Sequence, residues 1–256
     1  MKNKSIILIA ILLIGFLTGT VSALDTESLA ELEYKVLDSY NHDHKAFTQG
    51  LEIHENYLYE GTGLYGRSSL RKVDIQSGRV LNKIKLESEY FGEGITILNN
   101  KIYQLSWKEN TAFVYDLDFN LLKKFSYQGE GWGLTNNGEQ IIMSDGSQYL
   151  YYRDPETFEV LKKISVKNNK QPVKNLNELE YQEGFIYANI WQTDYIIKID
   201  AQSGATAAYL DLSGILSTDY QGEIDVLNGI AYDPQAQNFL VTGKLWPKMY
   251  RIEFAD

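Results

Sequence analysis

The feature that most restricts what this chain can fold into is a repeat. Gln49-Gly50-Leu51, Glu93-Gly94-Ile95, Trp132-Gly133-Leu134, Asn177-Glu178-Leu179 and Asn228-Gly229-Ile230 each open a similar segment, at intervals of 44, 39, 45 and 51 residues. Each opening leads through a turn into a second apolar strand and then an exposed loop. A third strand follows, ending in a turn such as Asp74-Ile75-Gln76-Ser77-Gly78 or Asp200-Ala201-Gln202-Ser203-Gly204, and a fourth strand finishes the unit. Runs such as Tyr57-Leu58-Tyr59 and Lys101-Ile102-Tyr103-Gln104-Leu105 have period two, with Asn99-Asn100, Asn136-Asn137-Gly138 and Glu183-Gly184 as breaks, which indicates antiparallel hairpins. A four-strand unit recurring every ~40–50 residues is the pattern of a β-propeller blade, whose faces are buried only by stacking on its neighbours. The fifth unit ends near Phe254 after three strands, and Tyr34-Lys35-Val36-Leu37 is an unassigned strand-like segment. Lending that segment to the fifth unit would remove two open sheet edges. The chain therefore reads as an all-β, five-bladed β-propeller closed by an N-terminal strand, with a β-sandwich of fortuitous spacing as the alternative.

The ends of the chain divide from this repeat. Residues 1–23 begin with Lys2 and Lys4, run apolar from Ile6 to Leu17, and finish Val21-Ser22-Ala23. That is the form of a signal peptide cleaved after Ala23. An uncleaved anchor is the alternative, but the apolar run falls short of the roughly 20 residues a span needs. Residues 24–40 form a lead-in and the ring-closing strand, and 41–256 form the propeller. Export is expected, secreted or periplasmic, as a monomer that meets a membrane only if the first segment is retained. Composition removes several classes. With no cysteine among 256 residues there is no disulfide framework, thiolate zinc site, lipid-carrying cysteine or thiol nucleophile. A net charge of −10, or −12 once Lys2 and Lys4 are removed, argues against nucleic acid as a partner.

In a propeller the first strand of each blade lines the central channel, so equivalent positions meet around the axis. One ring is then Gln49, Glu93, Trp132, Asn177 and Asn228; a purely structural ring would tend toward small or apolar residues, whereas these are polar, acidic or aromatic. The ends of the second strands give another ring, with Trp107, Trp191 and Lys244 beside Glu60-Gly61 and Ser144-Asp145. Three of the four tryptophans fall on these rings. Any one of them could be filler between blades, and Trp246, just beyond the ring, is expected to be so. His42-Asp43-His44 could hold a cation, but two imidazoles on a loop make a poor three-ligand zinc site. Gly61-Thr62-Gly63-Leu64-Tyr65-Gly66 lacks the Lys-Ser/Thr and helix of a phosphate loop, and no GxSxG elbow occurs. No metal or cofactor is expected; a structural calcium stays open.

At these residues the sequence resembles the plant-type glutamine cyclotransferases (glutaminyl-peptide cyclotransferases), found also in bacteria and archaea. The matching strings include Ala46-Phe47-Thr48-Gln49-Gly50-Leu51, Phe91-Gly92-Glu93-Gly94-Ile95-Thr96 and Glu130-Gly131-Trp132-Gly133-Leu134-Thr135. They continue through Asn175-Leu176-Asn177-Glu178-Leu179-Glu180-Tyr181, Leu227-Asn228-Gly229-Ile230-Ala231-Tyr232-Asp233 and Thr242-Gly243-Lys244-Leu245-Trp246-Pro247. The resemblance runs from about residue 40 to 253. It implies a five-bladed propeller that converts the N-terminal glutamine of a peptide to pyroglutamate and releases ammonia, unrelated in fold to the zinc-dependent animal-type enzyme. By that resemblance the catalytic glutamate is Glu93, and the pocket is formed by Phe47, Gln49, Trp107, Trp132, Asn177, Trp191 and Lys244.

For such a reaction one carboxylate can carry a proton from the attacking to the departing nitrogen, which suits Glu93. Lys244, Asn177 and Gln49 are candidates for holding the carboxamide oxygen or the peptide carbonyl. Lys244, grouped with Glu93 as catalytic, is also expected to keep that carboxyl ionised at neutral pH. Two other readings stand beside this one. A non-catalytic propeller that captures peptides would keep the aromatic collar but has no use for Glu93 with Lys244. A metal-dependent hydrolase needs several converging carboxylate, Asn or His ligands, and the first ring offers one carboxylate with Asn177 and Asn228, Glu178 and Glu180 lying close behind.

Overall fold

In the computed structural model, residues 26, 29–217 and 220–254 are described. The segment read as a signal peptide, residues 1–23, lies outside them. Every regular element among the described residues is a strand. Two N-terminal strands come first, β1 (Ala30–Glu31) and β2 (Tyr34–Asn41). Blade I is β3 (Thr48–His54), β4 (Tyr57–Thr62), β5 (Ser69–Asp74) and β6 (Val80–Lys85). Blade II is β7 (Gly92–Leu98), β8 (Lys101–Ser106), β9 (Thr111–Asp116) and β10 (Leu121–Ser126). Blade III is β11 (Leu134–Asn136), β12 (Ile141–Ser144), β13 (Tyr149–Arg153) and β14 (Val160–Ser165). A hairpin of β15 (Lys167–Asn168) and β16 (Gln171–Pro172) leads to blade IV: β17 (Leu176–Gln182), β18 (Phe185–Ile190), β19 (Tyr195–Asp200) and β20 (Thr206–Asp211). Blade V has β21 (Leu227–Asp233), β22 (Asn238–Gly243) and β23 (Lys248–Phe254) from its own segment.

The fourth strand of blade V is β2, antiparallel to β23 with Tyr34 opposite Phe254 and Asn41 opposite Lys248. The ring is thus closed by the N-terminal strand, as the incomplete fifth repeat requires. One pairing carries no sequence signal: β1 adds in parallel to the outer edge of blade IV, with Ala30 opposite Ala208. Turn chemistry explains the repeat's punctuation. Asp74 Oδ1 accepts the Ser77 N–H at 2.9 Å and Asp200 Oδ1 that of Ser203 at 2.8 Å, so each turn is built on a side chain that mimics backbone.

The apolar interior is five clusters, one at each interface between neighbouring blades. Leu70 and Tyr59 of blade I meet Ile95 and Ile102 of blade II; Leu105 meets Leu134 and Ile141; Ile142 and Leu150 meet Leu179 and Ile197; Leu210 meets Ile230 and Val241. The fifth cluster closes the circle, joining Ala231, Leu240 and Met249 to Leu51, Leu58 and Val73, with Tyr40 of β2 included. Since a buried Leu or Ile contributes roughly 1.5–3 kcal/mol, each interface is held by an independent stock of apolar burial, and no disulfide is needed.

The channel-side residues of neighbouring blades approach closely. A Cβ on Gly94 would stand 2.6 Å from both the Leu134 nitrogen and the Trp132 carbonyl oxygen, backbone atoms of the next blade, so glycine is required after Glu93. Where the repeat has Glu178 instead, the carboxylate itself joins the blades. It accepts the Leu51 N–H at 3.2 Å and the Ile230 N–H at 2.7 Å, while Glu180 accepts that of Tyr232 at 3.0 Å. Burial pushes both carboxyls well above the usual range, with those N–H bonds opposing. The two glutamates behind the first ring are therefore axial staples.

Candidate active site

Four of the five first strands break register where the first ring falls. The pairing shifts between Thr48 and Gly50, Gly92 and Ile95, Leu176 and Leu179, and Leu227 and Ile230. Gln49, Glu93, Asn177 and Asn228 lie inside these bulges, and Trp132 precedes the short β11. A bulge re-aims one side chain out of the pleat. That is how residues on buried strands come to face a cavity at one end of the channel.

That cavity holds about 380 Å3. Phe47, Gln49, Glu93, Trp107, Trp132, Asn177, Trp191 and Lys244, the full set expected from the sequence, all line it. Asn228 instead stands behind Gln49. Its Nδ2 donates to Gln49 Oε1 at 3.1 Å and to the Thr48 carbonyl at 3.0 Å, and Gln49 Nε2 donates to Glu93 Oε1 at 2.9 Å. Gln49 is therefore oriented from behind and engaged with Glu93 through one of the two N–H groups of its amide, while it still lines the cavity. Asn177 is buried, and its Oδ1 has no hydrogen-bond partner among the described residues.

The aromatic wall is continuous. Phe47 meets Phe91 edge-on at 6.1 Å, Phe91 meets Trp107 at 5.6 Å, and Trp132 meets Trp191 at 5.4 Å and 87°. Glu130 links the two halves: its Oε2 accepts the Trp107 indole N–H at 2.8 Å and that of Trp132 at 3.0 Å. Gly146, at φ +77°, lies under the Trp132 ring, and a Cβ there would come within 2.6 Å of it. Trp107, Trp132 and Trp191 are half-buried, as a collar facing a cavity must be. Trp246 is only 4% exposed, packs in the blade IV–V cluster and donates its indole N–H to the Asp225 carbonyl at 2.8 Å. The tryptophans divide as the ring positions imply.

Electrostatics correct one expectation. Lys244 does favour the charged form of Glu93, but burial outweighs it and the nearby Glu109 and Glu130 oppose it too. The Glu93 carboxyl is held well above the usual carboxylate range. Burial likewise lowers Lys244 from its ordinary value, against the attraction of Glu93 and Asp225. The Lys244 ammonium stands 4.9 Å over the Phe47 ring, and its backbone is fixed by two bonds, Asp225 N–H to the Lys244 carbonyl at 2.9 Å and Lys244 N–H to the Val226 carbonyl at 3.0 Å. The result is a buried carboxyl and a buried lysine in one apolar-walled chamber.

Only part of the second ring faces the cavity. Glu60 turns away to bond His42 Nε2 at 3.0 Å and the Thr48 hydroxyl at 2.8 Å, and Ser144 Oγ donates to the Asn177 carbonyl at 2.7 Å. His42 Nδ1 lies 2.7 Å from the Trp246 carbonyl, so both its ring nitrogens are engaged, apart from the cavity. Among the described residues no three His, Asp or Glu side chains converge as a metal site. Lining residues the sequence did not single out are Leu64, Phe91, Gln192, Asp225 and Val226. The 51-residue interval, longest of the four, was the available signal for a loop such as the one bearing Asp225. Glu130 carried no periodic signal, because it lies on a connection between blades.

Comparison with known proteins agrees with this geometry. The sequence model of the glutamine cyclotransferase family matches residues 7–254, which takes in the lead-in as well as the blades. A protein of Arabidopsis thaliana named glutaminyl-peptide cyclotransferase is 44% identical over 228 residues, covering 86% of this chain and 71% of the relative. The crystal structure of Myxococcus xanthus glutaminyl cyclase superposes with a TM-score of 0.82 at 31% identity, covering 89% of this chain and all of that one.

Proposed function

The chain belongs to the glutamine cyclotransferase family and is an enzyme of the glutaminyl-peptide cyclotransferase type; from that premise we propose that Glu93 shuttles the proton as a peptide's N-terminal glutamine closes to pyroglutamate. The α-amine attacks the side chain's own γ-carboxamide carbon, a C–N bond forms, and the bond to the departing amide nitrogen breaks as ammonia leaves. An α-amine has a reference pKa of about 7.7–8.0, so a neutral fraction exists near pH 7 and no strong base is needed. The Glu93 carboxylate takes the proton from the attacking nitrogen and returns it to the leaving one. An upward-shifted carboxyl suits both halves of that task, because transfer is most efficient when the catalytic pKa lies near the working pH.

Lys244 supplies positive charge toward the tetrahedral oxyanion in a chamber that excludes much of the water. The unpaired Asn177 Oδ1 accepts an N–H of the substrate's amine or carboxamide. The collar of Trp107, Trp132 and Trp191 holds the folded-back side chain near its attack geometry, which can supply several kcal/mol. The observation that carries this reading is that one buried carboxyl and one buried lysine face the same aromatic chamber of about 380 Å3. A capture module would need the collar and not the pair. Glu93→Gln keeps the shape and can still meet Gln49, so the fold should persist. Its kcat on Gln-initiated peptides should fall about 100- to 10,000-fold, measured as ammonia released. Near-normal kcat would remove Glu93 from the mechanism. We also propose that the protein is exported and loses residues 1–23, which N-terminal sequencing of the mature protein tests.

A further inference from the structure

A second cavity, of about 550 Å3, adjoins the first and shares two of its walls, Phe47 and Leu64. We propose that it receives the peptide chain just downstream of the glutamine and selects for a carboxylate there, either an acidic side chain at the second or third residue or the free α-carboxylate of a dipeptide. The inference rests on the function proposed above. Cyclisation uses only the glutamine's own nitrogen and side chain, so the rest of the peptide must leave the chamber through its carbonyl. At about 3.3–3.6 Å per extended residue, the next two residues lie within roughly 7 Å of the exit, the reach of a cavity that shares a wall.

The chemistry of that cavity differs from the first. His44, Lys45 and Arg67 line it, all exposed, and none has a side-chain hydrogen bond or ion pair within the protein among the described residues. Among the described residues Glu223 is the single acid on the wall. On a chain of net charge −10, unpaired basic side chains gathered beside the substrate chamber mark a place for an anion. The wall between the chambers is also preset. Leu64 and Leu245 both lie in the left-handed region, at φ 81° and 61°, a conformation that bulky side chains avoid unless their surroundings impose it. It is imposed here by the Leu245 N–H to the Ala46 carbonyl at 2.7 Å, the Ser68 N–H to the Leu64 carbonyl at 2.8 Å, and the Gly63 N–H to the Phe47 carbonyl at 2.8 Å. The turn bearing Arg67 and the strand-end bearing Lys244 are thus fixed on either side of Phe47.

The test compares kcat/KM for C-terminally amidated Gln-Ala-Ala, Gln-Asp-Ala and Gln-Ala-Asp, and for the Gln-Ala dipeptide as free acid and as amide. At low ionic strength each exposed charge contact should favour the carboxylate-bearing peptide by roughly two- to fivefold. The preference should shrink as salt shortens the Debye length toward about 3 Å at 1 M. It should fall toward unity in the double variant Lys45→Ala/Arg67→Ala and invert against Gln-Lys-Ala in Arg67→Glu. The free-acid and amide arms separate an α-carboxylate from an acidic side chain. Equal turnover of acidic and neutral peptides, or a preference that survives the double variant, overturns the subsite while leaving the reaction intact. No turnover of any Gln-initiated peptide overturns the proposed function, and the subsite with it.

Discussion

Glu130 never enters the cavity, yet two separate consequences should follow from changing it. Its Oε2 accepts the indole N–H groups of Trp107 and Trp132, at 2.8 and 3.0 Å, and its Oε1 lies 3.7 Å from Lys108 Nζ, itself 3.7 Å above the Trp107 ring. A hydrogen bond to a charged group contributes about 1.5–3 kcal/mol. The Glu130 side chain is 40% exposed, so water competes for the oxygen and replaces part of the loss. For both bonds together we expect about 1–2 kcal/mol in Glu130→Ala, which is roughly 5- to 30-fold in kcat/KM and appears chiefly in KM, since the collar positions substrate. Glu130→Gln is the informative partner. Its amide oxygen can still receive both indoles, so KM should move little, but the negative charge that pushes the Glu93 carboxyl upward is gone. The acid limb of the pH profile of kcat/KM should therefore move to lower pH. Steady-state assays from about pH 5 to 9 on one Gln-initiated peptide read both effects, and tryptophan fluorescence reports the collar independently. The reasoning fails if Glu130→Ala leaves KM and fluorescence unchanged, or if the acid limb of Glu130→Gln moves upward.

Two further outcomes test the electrostatics. Lys244→Met removes the charge that favours ionised Glu93, so besides a fall in kcat the acid limb should shift to higher pH, opposite to Glu130→Gln; an unmoved limb would separate Lys244 from Glu93. Glu52 tests stability. Burial raises its carboxyl from 4.5 to about 7, against hydrogen bonds from the Thr96 hydroxyl and the Ile97 N–H. A carboxyl raised in the folded state favours folding below its unfolded pKa and loses that contribution as pH rises through the folded value. Calorimetric Tm should then fall between about pH 5 and pH 8, and Glu52→Gln should flatten the fall, the slope that stays coming from Glu93, Glu178 and Glu180. An unchanged slope would refute the assignment.

The fold was legible because a propeller is a local code repeated. Period-two runs, Asp-headed turns and a glycine after four of the five ring residues are properties of short segments, and the same segment recurs because every blade solves the same packing problem against its neighbours. The missing strand was legible for the same reason, since a unit one strand short has to be completed from elsewhere. The short β1 was not, because a two-residue parallel pairing to Ala208 and Tyr209 leaves no periodic trace.

Within the site, equivalence of position was enough to assemble Glu93, Trp132 and Asn177 with Trp107, Trp191 and Lys244, because rotation about one axis brings equal positions to one mouth. What each residue does there depended on partners from other blades. Gln49 donates one amide N–H to Glu93, 44 residues away, with Asn228 behind it from across the closure, and no local pattern carries either contact. The expectation that Lys244 keeps Glu93 ionised went the wrong way, because burial outweighs the lysine. The charge state depends on how far burial, a lysine from blade V and glutamates from two loops compete at one carboxyl, and those magnitudes exist only once the ring has closed and excluded water. The sequence by itself determined the architecture and the ring positions that meet at the site, both carried by local repeats; only the tertiary structure decided the rest of the lining, the hydrogen-bond partners and the direction in which the Glu93 carboxyl titrates, because those are sums over groups that the chain keeps far apart.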